Sequence, residues 1–420
     1  MTRSARTSEG GHSEGSRPRV LHVIWSIPHY RAPVFRRLSQ HPGMDFQVCA
    51  GDDPSMPRGA SITTAAKAGA AEGINWRRLP SRRSRGPILR DYEWQSDICG
   101  IVWNTPVDAV ITMGNKSLSN WLVRIICKLR RIPLIEWTLG VVRPEAGPKW
   151  WARKFYMRWA DAHLLYGEFA RSFYVAHGFR SEDVFVVHNS LDHDKQVAVR
   201  ESITREQIRA TRAEFGVDHP DARLVVHIGR LERRKKLHML MDAARAFREE
   251  DRLVKVVLVG GGREEQNLRR IAAELDVDDR VIFFGRSFSE EQNGRIFMSA
   301  DLTVGPGQVG LLSMHSLAYG TPLLTCLNRD WIHGPETDAI VEGQTGGFFR
   351  PGDLDDLVNK MRDMLFPEPC KRWMSPRCMA MIDREYTPAY QERVIIQALN
   401  HVLPTSKQIP AAGRRTRSPC

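Results

Sequence analysis

Arg230 and Lys235 stand five residues apart on a stretch that follows Arg223-Leu-Val-Val-His-Ile228, an apolar run of the buried-strand kind. A guanidinium and an ammonium at one strand end could neutralise a pyrophosphate as its bond breaks, because such a leaving group needs fixed positive charge. The alternative reading of residues 232–236, a glutamate and four cations, is a solvated charge run. A second stretch, residues 300–324, reads as a strand (302–304), a turn from Gly305 to Gly310 and a helix from about Leu311 that stops at Gly320. Three glycines fall within that six-residue turn, and Leu311, Met314 and Ala318 give the helix an apolar face. Free N–H groups and the positive end of the helix dipole then face the turn, which suits a phosphate. Backbone N–H groups at Gln308, Val309 and Gly310 are the candidate donors to a phosphate or a sugar. Turns of this kind also exist simply to pack a helix on a strand.

The elements that must position these residues read as two series of alternating strands and helices. In the first, strands are expected at 19–24, 46–50, 107–112, 133–137, 162–166 and 184–188, with helices from about Ala32-Pro33, at 149–160 and at 168–177. The basic stretch from Trp76 to Arg90 reads as a loop. In the second, strands at 223–228, 254–259, 281–284, 302–304 and 347–350 alternate with helices at 236–247 and 354–365, among others. Such alternation indicates α/β architecture, doubly wound parallel sheets in two Rossmann-like domains facing across a cleft. The expected organisation is a disordered lead (1–17), a first domain (18–195), a linker (196–220) with a helical segment near Arg205 to Phe215, and a second domain (221–385). A helix (386–402) and a disordered basic tail (403–420) follow. Glycine closes four strands of the second domain, at Gly229, Gly260, Gly285 and Gly305, more often than packing alone usually demands.

A chain of 420 residues is too long for one core, and an apolar fraction of 42% with 26% charged residues is ordinary for a globular protein. No run of eighteen apolar residues exists to span a bilayer, and the first residues lack the apolar core of a secretory signal. Seven scattered cysteines without a CxxC pair argue for a reducing compartment and against a zinc site. The net charge of +12 points to an anionic partner, whether nucleic acid, lipid headgroups or a nucleotide-bearing substrate. No nucleic-acid module is recognisable, and Gly260-Gly261-Gly262 lacks the spacing of a dinucleotide fingerprint. Trp150, Trp151 and Trp159 interleave with Lys149, Arg153, Lys154 and Arg158, which suits either an anionic membrane surface or a core with a charged rim.

Residues 229–236, 257–262, 283–285, 315–322, 335–336 and 342–349, in that order, resemble the donor half of family-4 glycosyltransferases of the GT-B fold. Residues 160–192 resemble the same family. The resemblance implies a retaining, metal-independent glycosyltransferase using no cofactor. Its donor would be a nucleoside-diphosphate sugar (UDP- or GDP-sugar) and its acceptor a glycan or lipid-linked glycan. With the cysteine pattern and the tryptophan–cation helix, the expected location is cytoplasmic, peripheral on the inner face of the plasma membrane. Arg230 and Lys235 match the family's diphosphate pair, with Gly229 beside them, and Arg286 and Ser287 its base-contacting turn. Gly307 to Leu311 and Glu336 fall at its sugar and phosphate contacts. The family's usual motif carries two glutamates eight residues apart, and this chain has Gly307 and His315 there. His315 could meet a ribose hydroxyl or be a satisfied core histidine. On the acceptor side Tyr30, Arg31, Asn115 and Lys116 follow strands, and Leu139 falls where the family often has histidine. The loss of both glutamates also admits a non-catalytic GT-B-like partner subunit.

Overall fold

The computed structural model describes residues 17–51, 71–83, 93–113, 117–141, 144–327 and 334–410. The first lobe is built on β1 (Arg19–Ile24), β2 (Asp45–Gly51), β3 (Trp76–Leu79), β4 (Ser81–Arg83), β5 (Glu93–Gln95), β6 (Ala109–Met113), β7 (Leu134–Thr138), β8 (Ala162–Leu165) and β9 (Val184–Val186). Its helices are α1 (Ala32–Ser39), α2 (Ile98–Asn104), α3 (Leu118–Arg130), α4 (Gly147–Met157) and α5 (Glu168–Ala176). Seven strands form one parallel sheet in the order β3-β2-β1-β6-β7-β8-β9, and β4 and β5 pair separately. Strands β1, β6 and β8 are buried along almost their whole length, as a sheet covered on both faces requires.

In the second lobe α6 (His193–Ser202) and α7 (Arg205–Glu214) come first, then β10 (Arg223–Ile228), α8 (His238–Glu249), β11 (Val254–Val259) and α9 (Glu265–Glu274). After them come β12 (Val281–Gly285), α10 (Glu290–Ser299), β13 (Leu302–Gly305), α11 (Leu312–Ala318), β14 (Leu323–Cys326), β15 (Gly346–Phe349), α12 (Leu354–Leu365) and α13 (Lys371–Glu385). The six strands run parallel in the order β12-β11-β10-β13-β14-β15. Strand order reverses beside β10 and β13, so the loops at their carboxyl ends flank the crevice where α/β sheets bind ligands.

Three expectations from the sequence change here. The basic stretch from Trp76 opens as an edge strand, not a loop: β3 pairs with β2, the Trp76 ring nitrogen donates to Ala50 O at 3.1 Å, and Leu79 is buried. Its exposed Arg77 and Arg78 blunt the sheet edge; residues 84–92 lie outside the described residues. Residues 196–220, expected as a linker with a helix near 205–215, carry that helix as α7, but the segment belongs to the second lobe's packing. Thr204 and Gln207 cap α7 reciprocally, and Arg212 holds Ser299 O at 2.8 Å and Asp301 at 3.1 Å. A thin apolar line, Val199, Phe215 and Val217, reaches the core beneath a polar surface that hid it. The tail is ordered as far as Pro410, because Ile409 inserts into the first lobe and its N–H donates to Asn400 at 2.7 Å. Residues 1–16 and 411–420 lie outside the described residues.

The last helix, α14 (Pro388–Val402), packs Val394, Ile395, Ala398 and Leu399 into the first lobe. Its Tyr390 hydroxyl donates to Val186 O at 3.2 Å and Gln391 to His188 O at 2.8 Å. Ion pairing of Glu392 with Arg37 at 2.7 Å ties it to α1. Inside the first lobe, Arg124 of α3 and Glu136 of β7 form an almost fully buried pair at 3.0 Å, with the guanidinium 3.8 Å from the Tyr156 ring centroid. Burial of such a pair fixes α3 and α4 against the sheet more than it adds net stability.

Candidate functional site

Backbone packs on backbone where the second lobe's strands end. A Cβ at Gly260 would overlap the carbonyl of Gly229, one at Gly262 the carbonyl of Leu231, and one at Gly307 the carbonyl of Arg234. The loop 229–236 is thereby clamped between the turn after β11 and the turn after β13. Of the three glycines in the turn read as a phosphate cradle, Gly307 is demanded by this close approach instead. Gly285 and Gly310 differ, with φ of +86° and +58° and open space where a Cβ would be.

The clamp sets Lys235 against the turn that precedes α11. Its ammonium donates to the carbonyls of Gln308 and Val309, the latter at 3.2 Å. Burial, then Arg234 and Arg230 nearby, push its pKa down to about 8, with Glu232 and Glu336 opposing. Arg230 is more open and pairs with Glu232 at 2.7 Å. Beneath the loop, His227 is fully buried, and its Nδ1 lies 2.9 Å from Val304 O, which fixes the proton there. Burial and the Lys235 charge lower its pKa to about 4, so it is neutral and supports Gly229 above it.

At the turn itself, the Gln308 N–H donates to Arg234 O at 3.2 Å, so it is not available to a ligand as the sequence suggested. The same loop-on-turn packing that needs Gly307 takes it. The amides of Val309, Gly310 and Leu311 have no backbone acceptor among the described residues, and they lead into α11. Val309 itself is a core side chain. His315 is not a core histidine: about a third of its side chain is exposed. Gln196 donates to its Nδ1 at 3.2 Å and to Glu290 at 3.2 Å, and Tyr319 donates to the same Glu290 oxygen at 2.8 Å. That arrangement places the ring proton on Nε2. Burial lowers the His315 pKa, and His29 of the first lobe adds to the effect.

Glu336 is buried in the second lobe and accepts from Asn189 of the first at 3.2 Å. Its charge also reaches Lys235 on its own lobe and Arg31 on the other. Two residues on, Asp338 accepts the Glu168 N–H at 2.7 Å and so caps α5 of the opposite lobe, where the Gly167 cap position has no side chain. Burial raises the Asp338 pKa to about 6, with Glu168 and Glu336 adding to it. Tyr30 and Arg31 sit at the first lobe's strand ends, Arg31 against Tyr30, Trp137 and Tyr166. Asn115 and Lys116 lie outside the described residues, and Leu139 is exposed beside Gly140. At the turn after β12, Arg286 lies over Gly261, Ser287 Oγ is buried without a partner, and Phe288 is 90% exposed.

Gln196, Glu290, Asn189, Asp338 and Phe288 were missed in the sequence. Only Phe288, an aromatic beside a Gly-Arg-Ser turn, carried a local signal. The tryptophan helix divides: Trp150 is core, packed on Phe173 and His177, while Trp151 and Phe155 are 66% and 60% exposed. The Lys149 side chain lies outside the described residues. Beside α4, α3 exposes Trp121, Leu122, Ile125 and Leu129, and the Trp121 and Tyr156 rings meet at 4.3 Å.

Residues 210–375 match the family model described as glycosyl transferases group 1. The lipopolysaccharide 1,6-galactosyltransferase of Salmonella typhimurium is 24% identical over 216 residues, 50% of this chain and 54% of that protein. The alpha-monoglucosyldiacylglycerol synthase of Streptococcus pneumoniae is 28% identical over 175 residues, 40% and 37% of the respective chains. The chain thus spans about half or less of the length of these curated relatives. Among solved structures, Anabaena HepE in complex with UDP superposes with a TM-score of 0.66 at 16% identity, over 91% of this chain and 99% of that one. The lipopolysaccharide outer core galactosyltransferase WaaB in its apo form gives 0.65 at 14% identity, over 91% and 99%. At such identities the likeness speaks for the fold, which is GT-B.

Gly307→Ala should destabilise the second lobe by roughly 1–3 kcal/mol through overpacking against the Arg234 carbonyl. Chemical unfolding monitors this, and an unchanged midpoint would refute the clamp. Gly310→Ala, open but left-handed, should cost about 1 kcal/mol.

Proposed function

We propose that a chain whose residues 210–375 form a group 1 glycosyl transferase domain is itself a glycosyltransferase, moving a sugar from a nucleoside-diphosphate sugar to a glycan or lipid-linked acceptor. The observation that carries this reading is the Lys235 ammonium seated on the turn before α11, with Arg230 on the same clamped loop. Two of the three ammonium donors are engaged by carbonyls, which fixes its direction and leaves the third for a diphosphate oxygen. Amides of Val309, Gly310 and Leu311 would meet the same anion. In the step proposed, the acceptor oxygen bonds to the anomeric carbon as the bond to the diphosphate breaks. The diphosphate leaves with the electron pair, and the acceptor proton passes to its oxygen on the same face, so configuration is retained. Arg230 and Lys235 would supply the positive charge a metal ion supplies elsewhere.

His315, with Nε2–H outward, would donate to a ribose hydroxyl in place of the usual glutamate. Arg286, Ser287 and the exposed Phe288 ring would take the base. That the similar Anabaena protein was solved with UDP supports uridine. A lipid-linked acceptor at an anionic membrane surface is supported by the apolar face of α3 and α4. Lys128, Arg130, Arg131, Lys154 and Arg158 border it on the same two helices. No described helix is long and apolar enough to cross a membrane. We place the chain at the cytoplasmic face because its scattered cysteines, free among the described residues, fit a reducing compartment. The loss of a carboxylate at Gly307 favours a second reading, a non-catalytic partner subunit.

A thermal-shift panel of UDP-, GDP-, ADP- and dTDP-sugars should show one stabilising donor; none doing so would favour the partner subunit. Arg230→Ala and Lys235→Ala should each lower transfer by about 10²–10³-fold while the chain stays folded, a loss typical of removing one transition-state donor. Full activity in both would end the mechanism. Only protonated Lys235 attracts the diphosphate, so UDP affinity, measured by calorimetry, should fall as pH rises through about 8. The decline should vanish in Lys235→Ala. In flotation with phosphatidylglycerol vesicles at low salt, Trp151→Glu with Phe155→Glu should cut binding roughly tenfold. Unaltered binding would remove this face as the membrane contact.

A further inference from the structure

The Arg31 guanidinium lies 5.5 Å from the Tyr30 ring centroid, 5.5 Å from that of Trp137 and 5.2 Å from that of Tyr166. No carboxylate forms an ion pair with it among the described residues; the Glu336 charge acts on it from further away. Its Nε is buried without a partner, and its hydrogen bonds go to the Tyr30 side chain and, from a terminal nitrogen, to the Met113 thioether, a weak acceptor. Against the cost of burial, Tyr166 and Tyr30 hold the guanidinium protonated, but as neutral phenols they leave its charge unbalanced.

Around it the orphaned polar atoms accumulate. The Trp137 ring N–H, the Tyr166 hydroxyl, the Thr112 hydroxyl and both nitrogens of His22 are buried with no partner. The Trp137 ring links them, 6.1 Å from Tyr166 and 5.5 Å from His22. Buried polar atoms in folded proteins are satisfied in the great majority of cases, so a cluster of them beside a cation with no ion-pair partner among the described residues calls for a partner from outside the chain, whether water or ligand. The guanidinium with the two rings that flank it, bearing the Tyr166 O–H and the Trp137 N–H, suits an acceptor of hydrogen bonds that carries negative charge. Arg31 leaves the chain between β1 and α1, at the carboxyl end of the first lobe's sheet, where ligands of such sheets bind.

We propose that Arg31, Tyr166 and Trp137 form an anion subsite of the first lobe that takes an oxyanion group, a phosphate or a carboxylate, carried by the acceptor. The inference rests on the glycosyltransferase reading for the word acceptor, but the anion site itself does not depend on the donor site. With UDP saturating the second lobe, calorimetry with methyl phosphate and with acetate separates the two oxyanions. One of them should bind. Arg31→Gln should abolish that binding, and Arg31→Lys should weaken it about tenfold, because an ammonium keeps the charge but loses the planar fork. Tyr166→Phe should weaken it without unfolding the chain. UDP affinity should stay unchanged in all three, and Lys235→Ala should leave anion binding intact. Binding of neither probe, or binding that survives Arg31→Gln, would overturn the proposal. So would loss in Lys235→Ala alone, which would put the anion in the donor site. A chain that never binds UDP but still binds the anion through Arg31 would sink only the donor reading.

Discussion

Three loops of the second lobe meet main chain against main chain, and nearly everything proposed for the cleft follows from that contact. Side chains are excluded at Gly260, Gly262 and Gly307, so the segment 229–236 cannot slide or lift without opening the whole strand-end surface. A flexible lysine on a free loop would sample many directions. Held here, Lys235 has two carbonyls beneath it and a depressed proton affinity, both consequences of being pressed into the turn. The glycine at 307 is therefore a structural requirement of the clamp. The familiar glutamate at that position could enter only if residues 234 and 235 moved away.

Charge in the cleft is arranged around Glu336. It is buried, held by Asn189 from the opposite lobe, and its field reaches a cation on each side, Lys235 and Arg31. Neither cation is neutralised by it through direct pairing. Both remain able to attract a further anion, one on each lobe. His315 adds a neutral donor whose tautomer is set by Gln196, itself buried and bonded to Glu290.

Much of this was legible in the chain because parallel strands buried on both faces read as continuous apolar runs, and β10, β11 and β13 stood out clearly. Arg230, Lys235 and the turn at 305–310 were found because cations and glycines cluster there in sequence. Contacts across the cleft were not legible. Asn189 with Glu336 and Glu168 with Asp338 join residues more than a hundred positions apart, and nothing local marks either partner. Helix α7 was legible as a helical segment near 205–215, but α6 was hidden because Gln196 and Val199 are its buried residues on an otherwise polar surface. The glycines misled in the opposite sense: composition shows that a side chain is absent but not which neighbour forbids it.

Because α14 returns to the first lobe, β1 and α14 share one core, and the second lobe is inserted between two crossings, near residues 187–192 and 385–388. Two adjacent tethers restrict relative movement of the lobes to something like a door on a pair of pins. The latch of that door would be the Asp338 carboxylate on the first turn of α5, together with the Asn189 amide on Glu336. Swinging it wide enough to admit a bulky substrate costs the helix its borrowed cap, so entry of ligand and fraying of α5 are mechanically one event.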